Sequence, residues 1–195
     1  MSPLSEVGML LINTIGSLAL LVVILRFLLQ LVRADFYNPI SQFIVKATNP
    51  LLIPLRRLIP GLGGIDVASL VLTYAIQVLV MAGVLMLSGY PLPWANILIW
   101  ALIGITALVL NVYFWGLIIT VIASWIAPNS YNPALILINQ ILEPVIRPIR
   151  EKMPDMGGLD LSPIVVFLLI QVLEIMVVGQ LAVMTNMPKV LAFLI

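Results

Sequence analysis

The sequence predicts an all-α membrane protein whose four transmembrane helices form two parallel two-span repeats, and three observations carry that prediction. The 195 residues are 63% hydrophobic and only 9% charged, with a mean hydropathy of +1.22, whereas about a quarter of the residues of a soluble globule are charged. Four apolar runs reach the roughly 20 residues that a helix needs to cross a bilayer core. The stretch between the first two runs is also written twice. YNPISQFIVKATNPLLIPLRRLIPGLGGID at residues 37 to 66 returns, 94 residues later and without a gap, as YNPALILINQILEPVIRPIREKMPDMGGLD at residues 131 to 160. Pro39, Pro50, Pro54 and Pro60 recur as Pro133, Pro144, Pro148 and Pro154; Arg56 recurs as Arg150; Gly63, Gly64 and Asp66 recur as Gly157, Gly158 and Asp160. Prolines and glycines at fixed offsets dictate backbone shape, so both copies are expected to follow one path. The halves are then 1 to 94 and 95 to 195, each a span, a connector and a span.

Composition also narrows the chemistry. The chain has no His and no Cys, which removes imidazole ligands and bases, thiolate nucleophiles, iron-sulfur sites and disulfides. Residues 61 to 64 are glycine-rich but lack the following Lys of a phosphate loop. No nucleophile and base pair or metal-ligand cluster stands out. The expectation is a protein that is not an enzyme, with no cofactor, no metal and no nucleic-acid partner.

The first span is expected at residues 9 to 31. No basic residue precedes it and no cleavage site follows a short core, so it does not read as a cleavable signal peptide. Asn13, Gly16 and Ser17 share a face suited to helix packing with polar contacts. Arg26 lies inside the run, about two turns from its end, and either snorkels or pairs at the interface or has a functional role. Residues 39 to 48 follow helical spacing and predict a short amphipathic helix at the membrane surface. Its second copy is more apolar and is expected to sit deeper or under protein. Residues 50 to 60 are not expected to form one regular helix, because internal prolines remove amide donors and restrict the residues before them. A turn, a short helical piece carrying Arg56 and Arg57, and a stop are expected instead.

Asp66 suits the start of the second span, residues 67 to 87, through capping and the helix dipole. In the second copy, Ser162-Pro163 reads as an N-cap followed by proline at the first helical position. Ser69, Thr73 and Gln77, spaced by four, form a polar stripe that either hydrogen-bonds between helices or lines a polar pathway. A tight YPLPW link leads to the third run, residues 96 to 126. As one helix this is about 46 Å long against a core of about 30 Å, so it must tilt or extend beyond the bilayer. Gly116, Thr120 and Ser124 make a small-residue packing face within it. The last span, residues 163 to 184, carries Gln171 and Glu174. Glu174 is the one acidic residue well inside a span, and Val80 stands at the equivalent place in the first copy. Its axial offset from Arg26 argues against direct pairing, so it is protonated, paired with Gln or Asn, or beside water.

Seven of the nine basic residues, Arg33, Lys46, Arg56, Arg57, Arg147, Arg150 and Lys152, fall in the two connectors, and YPLPW has none. By the positive-inside bias both connectors are expected to be cytoplasmic, with the halves related by an axis along the membrane normal. The connector arginines either hold anionic lipid headgroups or pair with Asp66, Asp160, Glu143 and Glu151, and a protein partner is the other use for them. Arg56 with Asp66, and Arg150 with Asp160, recur at one ten-residue separation. Pairing within each copy and pairing across copies are both open.

The paired P-x-x-x-P-x-R and G-G-x-D elements, each between two spans, closely resemble the YggT family of small bacterial membrane proteins, which has chloroplast relatives. Both halves take part. The family's D-x-S-P is intact from Asp160 to Pro163 but reads Asp66-Val67-Ala68-Ser69 in the first copy. The resemblance implies a multi-pass protein of the bacterial cytoplasmic (inner) membrane, no established reaction, and links to osmotic-stress tolerance and envelope or division functions. For the chloroplast relatives it implies cytochrome b6 maturation, which here could only be scaffolding, since the usual haem ligands are missing. Two readings follow. One is a non-enzymatic membrane scaffold or assembly factor whose connectors dock a membrane-protein partner or a second copy. The other is a small oligomeric ion channel or transporter lined by Ser69, Thr73, Gln77, Gln171 and Glu174.

Overall fold

The computed structural model describes residues 3–126, 131–153 and 160–194. Its helices run in the order α1 (Pro3–Leu31), α2 (Pro39–Leu58), α3 (Val67–Leu87), α4 (Trp94–Ile126), α5 (Pro133–Arg150) and α6 (Ser162–Leu173). A π-helical segment (Glu174–Gly179) then joins α6 to α7 (Gln180–Met184), and a 3-10 helix (Lys189–Leu194) follows. Among the described residues no strand forms beyond one isolated bridge, Leu62 to Ile65. Helices α1, α3 and α4 and the continuous Ser162–Met184 are long and apolar enough to cross a membrane. The chain is a multi-pass membrane protein, and an even number of spans between them puts α2 and α5 on one side.

The connectors differ from their sequence reading in one respect: α2 and α5 are each a single helix, with Pro50 and Pro54 inside the first and Pro144 and Pro148 inside the second. Four-residue spacing explains it. The amides missing at Pro50 and Pro54 would have reached the carbonyls of Lys46 and Pro50, and all three residues lie on the exposed stripe of α2. That stripe is two residues out of phase with the buried Ile44, Thr48 and Leu52. Carbonyls freed on an outward face find water or headgroup donors, so the proline cost is borne where it is least. Pro144 and Pro148 are exposed in the same way.

The repeated Asn-Pro starts both helices. Asn38 accepts from the Ile40 amide at 2.9 Å and Asn132 from the Ala134 amide at 2.9 Å, while the following proline occupies a position whose amide has no helical partner. Gly63 and Gly64, at φ of +59° and +87°, turn the chain back through a region glycine enters freely. They deliver Asp66 to the start of α3. Pro154, Gly157 and Gly158 of the second copy lie outside the described residues. Ser162 is not an N-cap: it is the first residue of α6, and the Asp160 carboxylate accepts from its amide at 2.9 Å.

Small residues set the span packing. A Cβ added at Gly16 of α1 would stand 2.5 Å from Val80 Cγ2 of α3, and Gly8 and Gly83 bring the same pair of helices together farther along. Gly116 of α4 lies against Ile138 and Leu142 of α5, while Thr120 faces Asn139 at 3.4 Å. The apolar tail folds back into the bundle, where Leu191 and Leu194 are buried among Met81, Ile97, Trp100 and Ala101. Gly104 of α4 makes room there for Gln77 and the Leu194 carbonyl, and Trp100 Nε1 donates to Thr185 Oγ1 at 3.1 Å.

Candidate functional site

The polar groups gather where the connectors meet the spans. In the first half, Arg56 near the end of α2 grips Asp66 at the start of α3 through both Nε and Nη2. Asp66 is also the N-cap of α3 and accepts from the hydroxyl and amide of Ser69. Arg56 Nη2 reaches Gln30 Oε1 of α1 at 3.0 Å, so one guanidinium ties three helices. Burial alone raises the Asp66 carboxyl, but the hydrogen bonds from Arg56 and Ser69 and the Arg56 charge outweigh it and hold Asp66 below the ordinary carboxylate value.

Arg26 shares this junction. Its residue is only 6% exposed, and its guanidinium lies over the Phe36 ring at 5.3 Å from the centroid. Nε and Nη1 are enclosed without a hydrogen-bond acceptor among the described residues. Snorkelling into open water is therefore not what Arg26 does.

The second half repeats the ion pair in a wetter setting. Arg150 Nε meets Asp160 at 2.8 Å and Arg150 Nη1 lies 3.6 Å from Glu143. Arg147 pairs with Glu151 one turn on, at 2.8 Å. Burial pushes Asp160 up, yet the hydrogen bonds from Ser162 and then Arg150 bring it below the ordinary value. Both pairs are thus formed within a copy. Arg57 stands exposed on α2.

The two connectors touch. Asn38 Nδ2, buried at the start of α2, donates to the Pro133 carbonyl at 2.8 Å, and the Asp35 amide donates to Gln140 Oε1 at 3.1 Å. Ile44 of α2 packs with Leu137 and Ile141 of α5 in one core with Leu28 and Leu29 of α1.

The mid-span residues separate into two groups. Ser69, Thr73 and Gln77 are all buried; Thr73 donates to the Ser69 carbonyl at 2.8 Å, and Gln77 Nε2 points to the Leu194 carbonyl at 3.5 Å. A cavity of about 310 Å³ adjoins Gln77 and is bordered by Ser17, Asn111, Trp115 and Phe193. Glu174 and Gln171 stand apart, half-buried on the last span, and Glu174 opens the π-helical segment. Among the described residues no ion pair joins Glu174 to Arg26.

With this geometry in place, the comparisons with known proteins decide the family. The CCB3/YggT family profile matches the chain twice, over residues 6–87 and 99–181. The chain belongs to the CCB3/YggT family. An uncharacterized protein of Pseudomonas aeruginosa is 54% identical over 191 residues, 97% of each chain. The uncharacterized protein YggT of Escherichia coli is 38% identical over 179 residues, covering 91% of this chain and 92% of its own. An uncharacterized protein of Haemophilus influenzae is 34% identical over 162 residues, covering 82% and 84%. No solved structure matches. The two family matches coincide with the two halves joined through α2 and α5, so the family unit is one span, one connector helix and one span.

Sequence reasoning missed Gln30 and Phe36, which complete the junction around Arg56 and Arg26. Gln30 sits four residues after Arg26, and that helical spacing was the available signal. Nothing in the sequence marks Phe36.

Proposed function

We propose that the protein is a non-enzymatic scaffold or assembly factor of the bacterial inner membrane, with both connectors on the cytoplasmic side. The observation that supports this most is the joined pair of connector helices. Two amphipathic helices from the two halves, hydrogen-bonded to each other through Asn38 and Asp35, make one continuous surface. Lys46, Arg57 and Arg147 stand exposed on its helices. Such a surface fits the acidic face of a membrane-protein partner or of a second copy. The osmotic-stress and envelope roles implied by family resemblance fit a scaffold that is read from the cytoplasm.

The channel reading has its own support, an ionisable Glu174 inside a span with no ion-pair partner among the described residues at the start of a π segment, a feature common at functional sites. One experiment separates the two. Purification in mild detergent with mass spectrometry, paired with ion flux from reconstituted vesicles, is expected to give a stoichiometric partner without flux. That partner should weaken when Arg57 and Arg147 become Glu. Flux that disappears in a folded Glu174→Gln variant would establish the channel instead.

A further inference from the structure

Arg26 is an enclosed charge whose Nε and Nη1 find no acceptor among the described residues. The carboxylate of its junction, Asp66, is taken up by Arg56 and Ser69, and the Gln30 side-chain oxygen is taken by Arg56 as well. Two guanidinium groups therefore share one enclosed carboxylate, which leaves one positive charge. A guanidinium cannot escape that cost by losing its proton. Enclosed Nε and Nη1 without an acceptor call for a partner that the described residues do not supply.

The position says which partner. Arg26 lies five residues before the end of α1, about 7.5 Å along the axis. Its junction includes the first turn of α3, at the membrane face where headgroups lie. A guanidinium gives charge-assisted donors that suit phosphate oxygens, and Nε and Nη1 of Arg26 are two donors left open among the described residues. We propose that the junction of α1, α2 and α3 is a binding site for one phosphate-bearing anion, held by the Arg26 guanidinium and opened by displacement of the Phe36 ring. Phe36 is 39% exposed in the short loop after α1, so its ring can leave without unpacking a helix.

The phosphodiester of an anionic phospholipid and free phosphate share this chemistry, and the depth favours the lipid. The site is single, since Thr120 and Ser124 stand 94 residues after Arg26 and Gln30. A surface effect of the connector arginines would instead give several weak, equivalent contacts.

The test uses the full chain, delipidated in a neutral maltoside detergent. Native mass spectrometry should show one phosphatidylglycerol retained per chain, with phosphatidylcholine of the same acyl chains lost under the same activation. Arg26→Gln should weaken phosphatidylglycerol binding by at least about tenfold, while Arg57→Gln, on the exposed face, should leave it within about twofold. Inorganic phosphate that displaces the lipid at matched ionic strength identifies the free anion as a second source; failure to displace assigns the site to the lipid. Should Arg26→Gln fail to fold, Arg26→Lys keeps the charge but loses the fork, and the same ordering of affinities is expected. Equal binding by wild type and either Arg26 variant, or no retained lipid and no phosphate effect, overturns the proposal and leaves a hydrated Arg26.

Discussion

Removing the two repeated ion pairs should affect stability very unequally, although the sequence writes them identically. In the first half the side chains of Arg56 and Asp66 are 33% and 3% exposed, and in the second those of Arg150 and Asp160 are 48% and 42% exposed. Arg56→Gln strands an almost fully enclosed carboxylate. Breaking a buried pair from one side costs about 3 to 5 kcal/mol, and the one-third exposure of Arg56 reduces this to about 2 to 3 kcal/mol through solvent screening. Arg150→Gln leaves a carboxylate that water reaches, so its cost should stay below about 1 kcal/mol. Unfolding in mixed micelles of rising dodecyl sulfate fraction measures both. A double-mutant cycle with Asp66→Asn and Asp160→Asn then isolates the couplings, expected at about 2 kcal/mol for the first pair and under about 1 kcal/mol for the second. The pH dependence has a fixed sign. Both folded carboxyls titrate below their unfolded value of about 3.9, so the stabilisation is complete above that value and is lost as pH falls through the lower folded value. The loss should be larger for Asp66 and should be blunted by Arg56→Gln. A first-pair coupling no larger than the second would refute the reasoning from burial.

Two further outcomes follow from the fold. Gly16→Ala should destabilise by about 1 to 3 kcal/mol through overpacking against Val80, and Val80→Ala in the same chain should recover most of that loss; an additive double mutant would remove the close α1–α3 contact from the account. Because the chain has no cysteine, single cysteines report topology without background. Gln42→Cys and Asn139→Cys, both at exposed connector positions, should resist a membrane-impermeant thiol reagent in intact cells, whereas Asn96→Cys should react, and labelling of both connectors would reverse the orientation.

The spans were legible because each is carried by one strong local signal, an apolar run, and the α3 boundaries agree with the sequence reading to the residue. The connectors were legible in outline and misread in detail. A rule applied to each proline singly predicts a break, yet Pro50 and Pro54 share the exposed stripe with Lys46, and the helix survives because its broken bonds face outward. The face, not the count, decides. The polar stripe of α3 was visible as spacing, but the partner of Gln77 is the Leu194 carbonyl 117 residues away, and no periodicity reports a tail that folds back. Arg26 was legible as an anomaly only. Its enclosure depends on Phe36 and on Asp66 being already engaged, and both are properties of the assembled junction.

The two halves share a frame and differ in what fills it. Gly16 admits Val80 and lets α1 and α3 close tightly; the same offset puts Leu110 and Glu174 at those places in the second half. Two larger side chains replace a glycine and a valine, and the last span is π-helical over Glu174–Gly179. Ser69 and Thr73, buried in the first half, become Pro163 and Phe167, which border a cleft of about 330 Å³ with Leu117 and Val121 of α4. Bulkier side chains stand at these positions of α4 and the last span than at the matching positions of α1 and α3. The repeated connector sequence therefore fixes how each pair of spans is joined, while the span residues fix how closely it closes. A tight first half that encloses Arg56, Asp66 and Arg26 stands beside a looser second half with an intramembrane carboxylate. The two halves are joined both at the α2–α5 seam, through Asn38 and Asp35, and in the core that α3 shares with α4 and the apolar tail.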